Sequence, residues 1–113
     1  MFGEITNDAG GDAVTITVKV GGNEVASMTS DGRKLTDDPW IIDGTCIVRT
    51  VGASGEMAWT LTGKIQDQGR DFTTDVSAID TTGALDITVT AQWAAADADN
   101  IFLCTGGFME YKN

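Results

Sequence analysis

Carboxylates are the side chains of this sequence that could most readily do chemistry. The chain has 17 Asp and Glu residues and no histidine. Two carboxyl groups flanking a glycosidic bond can hydrolyse it, one as the acid and the other as base or nucleophile. The candidates for such a pair are Asp37, Asp38, Glu56, Asp67, Asp71 and Asp75. Pairs arise by chance among so many acids, and without histidine the commonest general base is missing. We therefore predict no catalytic residues and no enzyme activity.

One short acidic segment suggests a metal site. Asp97, Asp99 and Asn100 place three oxygen-bearing side chains within four residues, and calcium prefers oxygen ligands. The segment lacks the rest of a calcium loop, so the favoured interpretation is an Asx-type turn entering the last strand, in which Asn100 bonds its own backbone. We predict no bound metal and no cofactor.

The aromatic residues allow two interpretations, because exposed rings can stack on sugars whereas buried rings fill a core. Trp59 and Trp93 share parity with aliphatic neighbours and are predicted in the core. Trp40 stands beside Pro39 at the start of a predicted strand, which favours an exposed or interfacial position. The predicted interface residues are Phe2, Ile5, Trp40 and Tyr111.

The composition predicts one globular domain over residues 1–113, with 42% apolar residues and no apolar run long enough to cross a membrane. No secretory signal peptide is recognisable, which predicts use without Sec export. Cys46 and Cys104 match no zinc spacing, and buried reduced thiols are favoured over a disulfide. The net charge of −10 disfavours nucleic acid as a partner and indicates a solubilising surface.

Strict alternation of apolar and polar residues identifies the elements that must position these side chains. It predicts strands over 14–20 and 85–93, each with one buried face. Further strands are predicted from Glu24 to Thr29, Trp40 to Val48, Met57 to Ile65, Phe72 to Ile79 and Ile101 to Tyr111, and near Phe2 to Thr6.

Glycine-rich turns at 21–23 and 52–55 predict hairpins, and therefore antiparallel neighbours. The total is about eight strands without a helix, in an antiparallel, jelly-roll-like β-sandwich. Residues 1–12 are either an extended N-terminal arm, in which Phe2 and Ile5 add a strand to a partner sheet, or an ordinary first strand.

Two segments carry a resemblance to a known group. They are Cys46 to Gly55 (CIVRTVGASG) and Asp80 to Trp93 (DTTGALDITVTAQW), followed by Asn100 and a last strand. They resemble small jelly-roll virion proteins of tailed bacteriophages, over roughly Trp40 to Tyr111. The resemblance implies a structural role in the virion, as a capsid decoration (cement) protein, a head fibre or a tail-fibre part, and it carries no active site.

A start at Met1, a single domain and an acidic surface favour decoration of the outer surface of the head, after synthesis in the host cytoplasm. The resemblance implies a homotrimer that binds the major capsid protein and bridges capsomers. The alternative is a tail-fibre or head-fibre module that binds a host glycan, with Trp40, Tyr111 and the loop 97–100 lining its site.

Overall fold

The computed structural model describes residues 1–7 and 12–110, and within them it contains eight strands and no helix. The strands are β1 (Phe2–Thr6), β2 (Val14–Val20), β3 (Asn23–Thr29), β4 (Asp38–Thr50), β5 (Gly55–Ile65), β6 (Gln68–Ile79), β7 (Ile87–Trp93) and β8 (Ile101–Gly106). The prediction of an all-β chain with about eight strands is confirmed.

The strands form two antiparallel sheets that pack face to face as a β-sandwich. The large sheet has five strands in the order β6-β5-β4-β1-β8, and the small sheet has three in the order β3-β2-β7. The first strand pairs with the last, and the second pairs with the seventh. This nesting is the jelly-roll-like feature of the fold, whereas β4, β5 and β6 follow one another as consecutive hairpins.

The core lies between the sheets and is built by the predicted alternation. In β2, Val14, Ile16, Val18 and Val20 are at most 4% exposed, while the residues between them are half-buried. In β5, Met57, Trp59, Leu61 and Ile65 supply the facing layer. Burial of this apolar surface is the main term favouring the fold, at roughly 25 cal/mol per Å².

Glycines make the predicted hairpins. Gly21 and Gly22 join β2 to β3 with φ of 51° and 84°, a left-handed conformation that glycine adopts without steric cost. Gly52 has a φ of 145° in the turn between β4 and β5, and its carbonyl oxygen accepts a hydrogen bond from the Thr81 amide at 2.9 Å. Both hairpin predictions are confirmed.

In the part of the chain that the structure describes, the sandwich is closed along one side and open along the other. β3 of the small sheet lies against β5 and β6 of the large sheet, which closes that side. The strand orders place β7 and β8 on the opposite side, where each ends its sheet. The inward-facing residues of β7, among them the predicted core residue Trp93, are consequently only half-buried against the core.

The N-terminal residues are part of the large sheet. β1 lies between β4 and β8, and the terminal ammonium of Met1 donates to the carbonyl oxygen of Ile42 at 2.9 Å. The fully buried Asn7 accepts a hydrogen bond from the Leu35 amide at 2.6 Å and donates to two backbone carbonyls. The extended-arm prediction is therefore wrong for residues 1–7, which form an ordinary strand and its anchor; residues 8–11 lie outside the described part.

Candidate interaction surface

The four predicted interface residues have different positions in the structure. Phe2 is 47% exposed on the outer face of the large sheet. Ile5 is 0% exposed and Trp40 is 1% exposed, so the expectation that they lie at the surface is wrong. Tyr111 lies outside the described residues. Of the four, only Phe2 is shown at the surface.

Trp40 is buried because it packs against β1 and β8, and both strands are distant from it in the sequence. It stacks on Phe102 with ring centroids 4.7 Å apart, and its indole N–H donates to the carbonyl oxygen of Leu103 at 3.0 Å. The indole reaches β8 across Gly3 of β1, where a Cβ atom would lie 2.7 Å from the indole nitrogen and would overlap the Leu103 oxygen. Gly3 is thus required for this contact.

Around Phe2, the large sheet carries an apolar surface that faces away from the core. Phe2 lies opposite Ile41 on β4, while on β8 Leu103 lies opposite Glu4 and Ile101 opposite Thr6. Directly opposed residues point to the same face of a sheet. We call Phe2, Ile41, Ile101 and Leu103 the outer patch; their exposed fractions are 47%, 45%, 55% and 50%.

Most of the rest of this face is polar, although Ile47 of β4 is also 64% exposed on it. On β5 and β6, Thr62 donates to Asp71 at 2.8 Å, and Arg49 of β4 pairs with Asp75 at 3.1 Å. Beyond β8, Phe108 and Met109 are 91% and 75% exposed. The apolar surface therefore belongs to the β1, β4 and β8 part of the sheet and its C-terminal continuation.

Two runs of consecutive apolar residues in the sequence indicate the outer patch, although strict alternation does not. Trp40-Ile41-Ile42 and Ile101-Phe102-Leu103 are apolar at both parities. Since successive side chains of a strand point to opposite faces, such runs place apolar residues on both faces. One face of each run meets the core, and the other forms the outer patch.

The acidic segment 97–100 forms an Asx-type turn as predicted, but its side chain is that of Asp97, and Asn100 does not bond its own backbone. Asp97 accepts a hydrogen bond from the Asp99 amide at 3.0 Å through its carboxylate, and Asn100 donates to the Ala95 carbonyl at 3.3 Å and to Asp12 at 3.2 Å. No cluster of three metal-binding side chains occurs among residues 1–7 and 12–110. A solvent-open cleft beside the turn is lined by Thr6, Asn7, Lys34, Thr36, Ala98, Asp99 and Ile101.

Several other carboxylates contact nearby side chains or amides. Asp37 accepts from Thr6, Asp38 from the Thr36 amide, and Asp67 from Arg33. Arg33 also forms a bidentate pair with Asp31, with contacts of 2.6 and 3.0 Å. The hydrogen bond from Arg33 holds the pKa of the Asp31 carboxyl well below its ordinary value, and the hydrogen bonds from Thr82 lower the pKa of Asp80.

Both cysteines are free thiols. Cys46 is half-buried, and burial raises the pKa of its thiol. Cys104 is exposed, so the prediction of a buried thiol is wrong for this residue. It lies opposite Gly3 on the inner face of β8, at the open side that the small sheet does not cover.

Comparison with known proteins adds no family to this description, since no protein-family model, curated protein or solved structure matches the chain. No helix long and apolar enough to span a membrane occurs among the described residues.

Proposed function

We propose that this protein is a structural component of a bacteriophage virion, a capsid decoration protein that binds the major capsid protein on the outer surface of the head. The observation that carries the proposal is the outer patch. Four large apolar side chains, each about half exposed, lie on the outer face of β1, β4 and β8, with Glu4 among them, in a chain with a net charge of −10. Large exposed apolar side chains gathered on one face of a domain mark a protein-binding site.

The size of the outer patch favours attachment by several copies. Full burial of one large apolar side chain contributes about 1.5–3 kcal/mol, so completing the burial of a half-exposed one contributes about 1 kcal/mol. Four such residues supply about 4 kcal/mol, which corresponds to a dissociation constant near 1 mM before other terms are considered. An oligomer that presents several patches together would bind far more tightly, in agreement with the homotrimer that the resemblance implies.

The charge distribution supports a position away from packaged nucleic acid. Seven basic residues stand against 17 acidic ones, so the chain repels phosphate backbones. An acidic exterior also limits self-association outside the apolar surface. Both properties suit a protein that coats the outside of a DNA-filled head.

The glycan-binding alternative has less support in the geometry. Of the three features proposed to line its site, Trp40 is buried and the loop 97–100 is a self-bonded turn. The cleft beside that loop offers hydroxyls, Lys34 and Asp99, but none of its lining residues is aromatic. Sugar stacking would need an exposed ring at this place.

Reconstitution with particles tests the proposal. Phage heads stripped of the protein would be incubated with purified protein, sedimented, and challenged by heat or osmotic shock. We expect saturable binding and a lower rate of bursting. Saturable binding to a glycan array together with no binding to heads would overturn the proposal.

A further inference from the structure

Among residues 1–7 and 12–110, no strand pairs with the outer edge of β7. β7 ends the small sheet, and it pairs with β2 over seven residues without a register shift. Its sequence, ITVTAQW, contains no charged residue and no proline. Proteins usually protect exposed edges with charges, prolines or bulges. Here all three devices are absent from β7.

The register shows which backbone groups β7 presents at that edge. The Gly21 amide donates to the Asp86 carbonyl at 3.0 Å, and the Ala94 amide donates to the Ala13 carbonyl at 2.8 Å. Because hydrogen-bonded pairs alternate in an antiparallel ladder, Thr88, Thr90 and Gln92 bond to β2. The residues between them direct their N–H and C=O groups away from β2; they are Ile87, Val89, Ala91 and Trp93.

The side chains of these same residues are apolar and incompletely covered. All four are half-buried, whereas their β2 partners are at most 4% exposed. Across the open side, Val48 on the inner face of β4 is 48% exposed, and Cys104 on the inner face of β8 is also exposed. The small sheet has three strands against five in the large one, so part of the inner face of the large sheet has no strand of the small sheet opposite it.

We propose that an extended segment of a partner protein binds here, as a fourth strand of the small sheet next to β7. Backbone hydrogen bonds to Ile87, Val89, Ala91 and Trp93 would hold it, and its alternate apolar side chains would cover Val48 and Cys104. Only one part of this inference rests on the proposed function, namely that the partner is a virion protein.

Charge at the two ends of β7 indicates the chemistry of the segment. Asp86 precedes the strand, and Asp97 and Asp99 follow it, all three exposed. In a second copy paired antiparallel to β7, Asp86 would approach the acidic residues of the other end, and like charges repel. A segment with Lys or Arg on either side of its apolar residues is complementary, and it is the occupant to which the proposal commits.

The test uses the free protein and a synthetic peptide, Lys-Lys-Val-Thr-Val-Thr-Val-Lys-Lys, so it does not depend on any virion. Amide hydrogen exchange by NMR should show, without peptide, fast exchange at Val89 and Ala91 and slow exchange at Thr88 and Thr90. With peptide, the exchange of Val89 and Ala91 should slow by at least about tenfold, an added protection that follows from new hydrogen bonds. A matched peptide with Glu in place of Lys should bind at least about tenfold more weakly.

Two proline variants distinguish a specific loss of strand pairing at β7 from a general effect of proline on the small sheet. Val89→Pro removes an N–H that points out of the sheet, and it should abolish peptide binding. Ser27→Pro removes an outward N–H at the opposite edge of the same sheet. The Ser30 amide bonds to the Val14 carbonyl, and hydrogen-bonded residues alternate along the strand, so the N–H of Ser27 points away from β2. That control should bind normally. Unchanged exchange at Val89 with the basic peptide would overturn the proposal, as would a dimer of the free protein that Val89→Pro dissociates.

Failure here would leave the proposed function standing, because binding to heads through the outer patch is measured separately. Conversely, a protein that binds no heads but takes up the basic peptide would keep the strand-addition site and lose the virion role.

Discussion

The indole nitrogen of Trp40 and the carbonyl oxygen of Leu103 lie 3.0 Å apart although 63 positions separate the two residues in the chain. The hydrogen bond joins β4 to β8 across β1, and it is the reason why an aromatic residue at the start of a strand belongs to the core. It also holds in place the part of the sheet whose outer face carries the apolar patch. Several expected outcomes depend on this arrangement.

Replacement of Trp40 by Phe should destabilise the protein more than the same change at Trp59. Both side chains are buried, at 1% and 7% exposure, but the Trp59 indole nitrogen has no hydrogen-bond partner among the described residues. Trp40→Phe leaves the Leu103 carbonyl without its donor and should cost about 1 kcal/mol beyond the loss of volume that both variants share. Urea unfolding of the two variants measures the difference. Equal losses would show that the hydrogen bond contributes nothing.

Gly3→Ala should be strongly destabilising. The added Cβ would overlap the Leu103 oxygen and lie 2.7 Å from the Trp40 indole nitrogen, so β1 or β8 must move. Overpacking of this kind costs about 1–3 kcal/mol. Gly83→Ala is the control, because a Cβ there meets nothing within 4 Å. Thermal unfolding should show a clear drop for the first variant and little change for the second. A Gly3→Ala protein as stable as the parent would contradict the close approach of these strands.

The sequence predicts the local features of the fold better than it predicts contacts between distant strands. Strict alternation in β2 and β7 and the glycine turns identify strands, hairpins and the inward parity of Ile42 and Trp59, since these are local properties. Trp40 shows the limit. Its burial depends on β8, which pairs with β1 from the far end of the chain, and local periodicity carries no information about such pairing. The apolar runs around Ile41 and Leu103 indicate exposed apolar residues, but only the pairing of β1 with β4 and β8 places them on one face with Phe2.

The Asp31 and Arg33 pair should make stability depend on pH in the acid range. The pKa of Asp31 is lowered in the folded protein from the ordinary value of 3.8 by the hydrogen bond with Arg33. A lowered pKa contributes stability that is fully present above the unfolded value and is lost as pH falls toward the folded value. Asp31→Asn should therefore be less stable than the parent at neutral pH, and the gap should begin to narrow as the pH falls below about 3.8.

Because this pair is at the surface and screened by salt, the effect should be small and should shrink at high ionic strength. Chemical denaturation at several pH values measures it. A stability gap between the parent and Asp31→Asn that widens as the pH falls would contradict the assigned hydrogen bond.

The cysteines should react at different rates with a thiol reagent under native conditions. Cys104 is exposed, whereas Cys46 is half-buried and burial raises the pKa of its thiol. The thiolate is the reactive form, so Cys46 should react more slowly. Timed alkylation followed by mass spectrometry separates the two sites, with denatured protein as the reference in which both react. Faster labelling of Cys46 would contradict the position of Cys104 on the open side of the sandwich.

A charge placed in the outer patch should impair attachment to heads without unfolding the protein. Ile41→Asp inserts a carboxylate next to Phe2, where an apolar contact with the capsid protein is proposed. Binding in the sedimentation assay should weaken at least about tenfold. Thr60→Asp adds the same charge on the polar part of the same face, opposite Thr45, and should bind as the parent does. Equal binding by both variants would mean that attachment does not use the outer patch.

Cryo-electron microscopy of phage particles purified with and without the protein tests the central claim most directly, with light scattering of the free protein to count its subunits. We expect ordered trimers on the outer surface of the head, with Phe2 and Ile41 turned toward the major capsid protein, and particles that burst more readily when the protein is missing. Density confined to the tail, or none on the head, would contradict a decoration role and favour the glycan-binding alternative.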